Sequence, residues 1–294
     1  MTFLAQLLVS GLAVGSIYAL VALGFSLTFA TNRTVNFSQG HSVMLGAVLF
    51  YSLRVTAGLP PLIAFSLLLL LGAVYGFAIF AIAIRPFSHR RAGKGAAGWL
   101  LSTIAVGIAT ETAVLLTFGR EARALDSPFG DKPIVVAGIG ILPHEFWLII
   151  VGIGLALAVH VLLNHTLPGM AFRAISQSET GARLLGINTF MTITLAYVLS
   201  TILAFVAGVL IAPILYVSGS MGTVIGVKGF AIAALAGMVW PRAIVLTGMA
   251  YGVAESFVSG YLAGGLRELV TFCCLLLLLS LFPRGLFTAR TREV

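Results

Sequence analysis

Long apolar runs alternate with short polar breaks along the whole chain. Residues 62–84, 146–163, 189–218 and 243–254 pass without a single acid, lysine or arginine. About 20 mostly apolar residues suffice for a helix to cross a bilayer. Lipid offers no hydrogen bonds to an open backbone, so such runs are expected to be helical. Read this way, the pattern predicts nine crossings, at roughly 4–30, 41–57, 60–84, 97–118, 144–164, 189–218, 228–240, 243–262 and 268–283. The seventh is short, as a tilted or broken segment packed inside protein would be. The fold class is an all-α membrane protein, a polytopic helical bundle forming one transmembrane domain over residues 1–294. Residues 1–10 lack a basic stretch before the first run, so that run is expected to be retained rather than cleaved.

Composition agrees. Of 294 residues 60% are hydrophobic and 9% charged, against about 25% charged in ordinary globular chains. The net charge of +8 is spread among loops, with no aromatic stacking platform beside it, which argues against nucleic acid as a partner. Cytoplasmic loops collect lysine and arginine. Threading nine crossings puts Arg33, Arg85, Arg90, Arg91, Lys94, Arg173, Arg183, Arg242, Arg284, Arg290 and Arg292 on one side, 11 of the 17 basic residues. Arg54, Arg120, Arg123, Lys132, Lys228 and Arg267 fall on the other. The N-terminus is therefore expected outside and the C-terminus in the cytoplasm.

Two loops differ in character. The outer loop 119–143 has mixed charge and three prolines, as an external docking surface would. Segment 165–188 is polar, and its Ala174, Ser178, Ala182 and Leu185 recur at helical spacing. Pro168-Gly169 punctuates its entry, and Gly186 near Asn188 supplies a helix stop. A short cytoplasmic helix pair is expected, with Leu184, Leu185 and Ile187 as apolar residues beside water.

The breaks in the apolar pattern carry the candidate chemistry. Asn36, Ser38, Gln39 and His41 follow the first run directly; they form either a turn or a broken helix facing a pathway. Glu111 and Glu255 stand within predicted spans, where a carboxylate faces the interior or water. Each is a pathway contact or an interhelical strut. No lysine or arginine pairs with them inside any predicted span, so no ion-pair relay is expected. Glycines four apart, such as Gly11 and Gly15 or Gly248 and Gly252, suit close helix packing. Adjacent Cys273 and Cys274 read as small buried hydrophobes. No phosphate-binding G-x-x-x-x-G-K-[ST] loop, metal-ligand cluster, H-E-x-x-H, G-x-S-x-G, arginine ladder or potassium filter occurs. These absences argue against an integral-membrane enzyme and leave a pore or carrier. An ion-coupled secondary transporter of a small organic solute is the alternative to an energised importer.

Several stretches resemble one family in order. Gly15-Ser16-Ile17-Tyr18-Ala19-Leu20, Ala22-Leu23-Gly24, Asn36-Phe37-Ser38-Gln39-Gly40 and Met44-Leu45-Gly46-Ala47 are similar to the opening of branched-chain amino acid ABC permeases of the LivH/LivM type. Arg173-Ala174, Leu185-Gly186-Ile187-Asn188, Ala207-Gly208-Val209-Leu210, Lys228-Gly229-Phe230, Gly252-Val253-Ala254-Glu255 and Phe282-Pro283-Arg284-Gly285-Leu286-Phe287 continue the likeness. Residues 236–243 depart from the family's glycine-rich turn, and Gln39 stands where the family often has histidine. The resemblance implies a second, LivM-like permease subunit, two ATPase subunits carrying ATP and magnesium, and a periplasmic substrate-binding protein. This chain would hold no cofactor, lie in a bacterial inner membrane, and carry a branched-chain or related amino acid. It would engage the ATPase through Arg173, Glu179, Arg183, Leu184, Leu185, Gly186 and Ile187.

Overall fold

A computed structural model describes residues 2–88, 98–127, 130, 134–136, 139–238, 240–261, 267–282 and 285–287. The helices are α1 (Thr2–Asn32), α2 (Gln39–Tyr51), α3 (Pro61–Ile79), α4 (Arg85–Ser88), α5 (Gly98–Thr117) and α6 (Pro143–His165). Then come α7 (Leu167–Gln177), α8 (Glu179–Leu184), α9 (Thr189–Leu215), α10 (Met221–Leu235), α11 (Pro241–Tyr261) and α12 (Arg267–Leu281). Wide π-helical turns extend α2 through Ser52–Thr56 and α3 through Phe80–Ile84. An antiparallel pair, β1 (Ile134–Val136) and β2 (Ile139–Ile141), shapes the long loop before α6.

Each of the nine predicted runs overlaps one helix, but they are not equivalent. Six described helices are long and apolar enough to span a membrane, while Met221–Leu235 and Glu268–Leu281 are shorter. The α-helical part of α2 has 13 residues, about 20 Å at 1.5 Å per residue, less than a hydrocarbon core of about 30 Å. The seventh run is corrected in position: its helix begins at Met221 and ends at Leu235, earlier than the expected 228–240. Lys228, read as the edge of that run, is the middle of the helix.

The hydrophobic centre is α1, whose Ile17, Leu20, Val21, Leu23 and Leu27 are wholly buried. It packs against α6, α9, α10 and α11. The α1–α11 crossing is backbone on backbone: a Cβ added to Gly252 would stand 2.3 Å from Gly15 Cα. Larger residues would hold these helices apart and open a void that lipid cannot fill. The exposed apolar side chains of α3, α5 and α6, among them Leu62, Leu70, Leu101, Leu116 and Leu157, give the outer surface its lipid-compatible coat. Cys273 and Cys274 belong to that coat; both are exposed on α12, which corrects the expectation that they are buried. Their small apolar character suits lipid as well as a core.

At the departure from the family's glycine-rich turn, Met238 holds φ at 59° directly after Gly237 at 85°. A side chain in this left-handed region costs on the order of 1 kcal/mol. Val239 in this turn lies outside the described residues, as do the charge-pattern residues Arg90, Arg91, Lys94, Lys132, Arg284, Arg290 and Arg292.

Candidate translocation pathway and coupling surface

Between α1 and α2 the chain re-enters the protein. Asn36, Ser38 and Gln39 are fully buried. Asn36 Oδ1 accepts from Ser38 N at 3.2 Å and Ser38 Oγ at 2.6 Å, an internal turn that starts α2. Gln39 Nε2 donates to the Ser200 carbonyl at 3.0 Å, and the Ser200 hydroxyl lies 3.0 Å from Gln39 Oε1 and 2.8 Å from the Gly24 carbonyl. One glutamine thus ties α1, α2 and α9 together. These three residues hold the entry to α2 in place, and their polar groups point into the protein.

His41 differs from its neighbours. Its Nε2 is 3.0 Å from Glu111 Oε2 on α5, and Thr223 of α10 donates to the same oxygen at 3.1 Å. His41 and Glu111 keep 13% and 25% of their side-chain surface exposed. A cavity of about 100 Å³ opens beside them, walled by Phe37, Phe230 and Val227. Phe37 and Phe230 meet at 5.2 Å between ring centroids. The floor is a glycine contact, where a Cβ on Gly40 would lie 2.3 Å from the Gly222 carbonyl and 2.4 Å from Gly226 Cα. Helices α2 and α10 therefore approach backbone to backbone at this point. An imidazole and a hydroxyl line a cleft with aromatic walls, and the Glu111 carboxylate that holds both stands behind them.

Glu255 has another environment. Its Oε1 accepts from Lys228 Nζ at 2.7 Å, and the two side chains are 1% and 4% exposed. Lys228 Nζ also lies 3.4 Å from Tyr18 OH and 5.7 Å from the centre of the Phe272 ring. The expectation that no lysine pairs with a carboxylate inside the bundle is thus corrected. Burial of one charge demands the other, because an isolated ion in this medium is far costlier than a pair. Helix α10 brings Lys228 in, and α11 brings Glu255. Lys228, Thr223, Phe37 and Phe230 had no candidate role from sequence; a lysine central to an apolar 15-residue stretch is the signal for the first.

The polar 165–188 segment folds as the helix pair α7–α8. Thr166 caps α7 by accepting from Gly169 N, and Ser178 caps α8 by accepting from Gly181 N at 3.0 Å. Gly186, at φ 79°, ends α8 while Ile187 N donates to the Ala182 carbonyl, the Schellman arrangement. The face turned to the bundle is Phe172, Ile175 and Ala182. Of the residues at helical spacing, Ala182 is buried and Ala174 packs half-buried against the same cluster, while Ser178 caps α8 and Leu185 is exposed. Ile187 is half-buried against the bundle, and Arg173 is exposed. Leu184 and Leu185 are 84% and 80% exposed at the tip. Beside them Arg183 Nη2 donates to Glu179 Oε1 at 2.6 Å.

Comparison with known proteins follows this geometry. The profile described as branched-chain amino acid transport system / permease component matches residues 7–279. The high-affinity branched-chain amino acid transport system permease protein LivH of Salmonella typhimurium is 29% identical, over 97% of this chain and 95% of that protein. BraD of Pseudomonas aeruginosa, a permease protein of the same description, is 28% identical over 96% of this chain and 94% of its own length. A solved structure described as PsaBC from Streptococcus pneumoniae in complex with Fab covers 98% of this chain and 94% of that one, at a TM-score of 0.51 and 14% identity, a likeness of fold alone. The profile covers nearly the whole chain, α1 through most of α12, and so this protein is a multi-pass membrane permease of the branched-chain amino acid ABC transporter family.

Proposed function

We propose that this chain is one of two permease subunits of an ATP-driven importer that moves a branched-chain or related amino acid inward. The observation that carries this reading is the α7–α8 pair. It is fixed to the bundle by Phe172, Ile175 and Ala182, yet presents two leucines almost wholly to solvent. An exposed apolar tip on a capped, rigidly seated helix pair suits a separate protein. In this reading an ATPase subunit covers Leu184 and Leu185, with Arg173, Glu179 and Arg183 as the polar rim and Gly186 and Ile187 setting the tip's angle.

The cleft of His41, Glu111 and Thr223 is the proposed pathway wall. Glu111 suits the substrate's ammonium group, and Phe37, Phe230 and Val227 suit an aliphatic side chain. At about 100 Å³ the cavity is narrow, so passage requires α2 and α10 to move apart at their glycine contact. Such a two-state bundle needs a partner that favours one state. On the far side, Arg123 N donates to the Val217 carbonyl at 2.9 Å and Val217 N returns a bond to Arg123 at 2.8 Å. The 119–143 loop is thus strapped to the start of α10, a route by which a docked periplasmic binding protein would act on the cleft. Under this reading the N-terminus is outside, and ATP and magnesium belong to the ATPase subunits. An ion-coupled carrier has less support, since Lys228 already neutralises Glu255.

Leu185→Asp tests the reading. It should cut substrate uptake at least tenfold, and release the ATPase or leave its hydrolysis uncoupled, while the chain still inserts in the membrane. Wild-type uptake and assembly in that variant would overturn it.

A further inference from the structure

The bundle end that carries α7 and α8 holds a cavity that the transport reading touches only at Arg173. It measures about 550 Å³ and is lined chiefly by His160, Asn164, His165, Arg173, Trp240 and Arg242. Arg33 lines an adjoining cavity that shares Asn164 and Arg173. None of these residues is acidic. Among the described residues no carboxylate forms an ion pair with Arg33, Arg173 or Arg242.

The arginines are held by neutral groups. Arg242 Nη2 is 3.1 Å from His160 Nε2. An arginine only donates, so this ring nitrogen accepts, and it places no negative charge against the guanidinium. The Asn164 side-chain amide donates to the His160 carbonyl at 3.0 Å and so lies along the ring. Arg173 Nη2 reaches the Asn164 carbonyl oxygen at 3.5 Å. Two planar guanidinium groups therefore face one cavity with donors to spare, the arrangement that takes a phosphate ester.

Position narrows the ligand. The cavity lies where α6 ends and α11 begins, at the level where membrane-spanning helices leave the hydrocarbon. Trp240 stands exposed at its rim, as interfacial tryptophans do. Three residues before His160 and Asn164, on the same face of α6, Leu157 and Val161 are exposed and apolar. A cationic mouth thus continues into an apolar strip. A soluble phosphate would use the mouth alone, whereas a phospholipid would use both.

We propose that this cavity binds the phosphodiester headgroup of an anionic phospholipid, with its acyl chains along Leu157 and Val161. The lipid would bridge α6, α7 and α11 and so brace the seat of the α7–α8 pair. The proposal stands independently of the substrate carried.

The test uses the full-length chain, reconstituted with mixed phosphatidylglycerol and phosphatidylcholine and then examined by native mass spectrometry. The wild-type chain should retain phosphatidylglycerol in preference. Each arginine near a membrane surface contributes about fivefold, so R173Q/R242Q should lower that retention roughly twenty-five-fold. Lysine replacements, which keep the charge but lose the planar fork, should fall between wild type and the glutamine variant. Size-exclusion profile and unfolding midpoint verify folding, and if the double variant fails to fold, R173Q and R242Q singly should each show the fivefold loss. Equal retention in wild-type and variant would overturn the proposal, as would equal retention of the two lipids by the wild-type chain. Displacement of the lipid by millimolar inorganic phosphate, with phosphate bound in its place, would overturn it in favour of a soluble-anion site.

Discussion

Glu255 and Glu111 look alike in the sequence, each a lone acid in an apolar run, and the fold gives them opposite surroundings. Glu255 is enclosed where α10, α11 and α12 meet α1, and its charge is answered by Lys228 at 2.7 Å. Glu111 is a quarter exposed beside a cleft and is held at 3.0 Å by His41, which lines it. The difference lies in what surrounds the oxygens. A carboxylate closed in with a lysine is neutral as a pair, even though Glu255 also lines an apolar cavity of about 430 Å³. One at a cleft edge, beside an imidazole and a hydroxyl, can exchange partners. A strut and a site can thus grow from the same residue type, and burial decides between them.

The sharpest way to break this contrast is to unpair the enclosed ion. Lys228→Met leaves Glu255 buried and alone, which should cost about 3–5 kcal/mol. The unfolding midpoint in detergent and the yield of membrane-inserted protein would report it. Lys228→Met/Glu255→Leu removes both charges and should recover most of that loss, because an apolar pair of similar size is often as stable as a buried ion pair. Uptake by the folded double variant should persist. A single variant as stable as wild type, or a stable double variant without uptake, would move Glu255 from strut to site.

The open carboxylate should behave the other way round. Glu111→Gln keeps the shape and a hydrogen-bond acceptor for Thr223, so stability should stay within about 1 kcal/mol. Uptake should nonetheless fall about tenfold if an ammonium group passes this oxygen, equivalent to roughly 1.4 kcal/mol. Uptake assays in vesicles, set beside melting curves of the same preparation, separate the two effects. Unchanged uptake with a large loss of stability would make both acids struts and end the comparison.

The sequence made the helices legible because lipid imposes a length and a composition on each one, and all nine runs overlap a helix. It failed where a partner far along the chain changes the meaning of a residue. Lys228 looked like the border of a span because charge normally ends one. Its neutralising acid is 27 residues away on another helix, which no local pattern reports. The cleft was half legible: His41 and Glu111 stood out as polar breaks, but their meeting across 70 residues depends on Gly107 of α5, where a Cβ would stand 2.6 Å from the His41 ring, and Thr223 of α10 joins them where α10 meets α2 at Gly40. Within Asn36, Ser38 and Gln39 polarity suggested a pathway, whereas Asn36 Oδ1, the Ser38 hydroxyl and the Gln39 amide bond to the protein itself. The α7–α8 pair was legible from its helical spacing, its Pro168-Gly169 entry and its Gly186 stop, whereas the burial of Phe172 and Ile175 depends on the bundle they pack against.

A third pair completes the series and should show the smallest effect. Glu179 and Arg183 sit four residues apart on α8, with 43% and 53% of their side chains exposed. Water screens this pair and competes for both partners, and ordering two long side chains offsets much of the attraction. Arg183→Ala should therefore shift stability by no more than about 0.5 kcal/mol. Its Nε also donates to Thr189 Oγ1 at 3.2 Å, next to the start of α9, so a small part of any change belongs to that contact. At a proposed ATPase interface a rim charge mainly tunes the rate of encounter. The variant should thus show a weaker salt dependence of ATPase association while uptake stays within about twofold of wild type. Binding kinetics at low and high salt would measure this. A loss of uptake as deep as that of Leu185→Asp would place Arg183 at the centre of the interface rather than on its rim, and exposure in the isolated chain would then be no guide to what the assembled transporter buries.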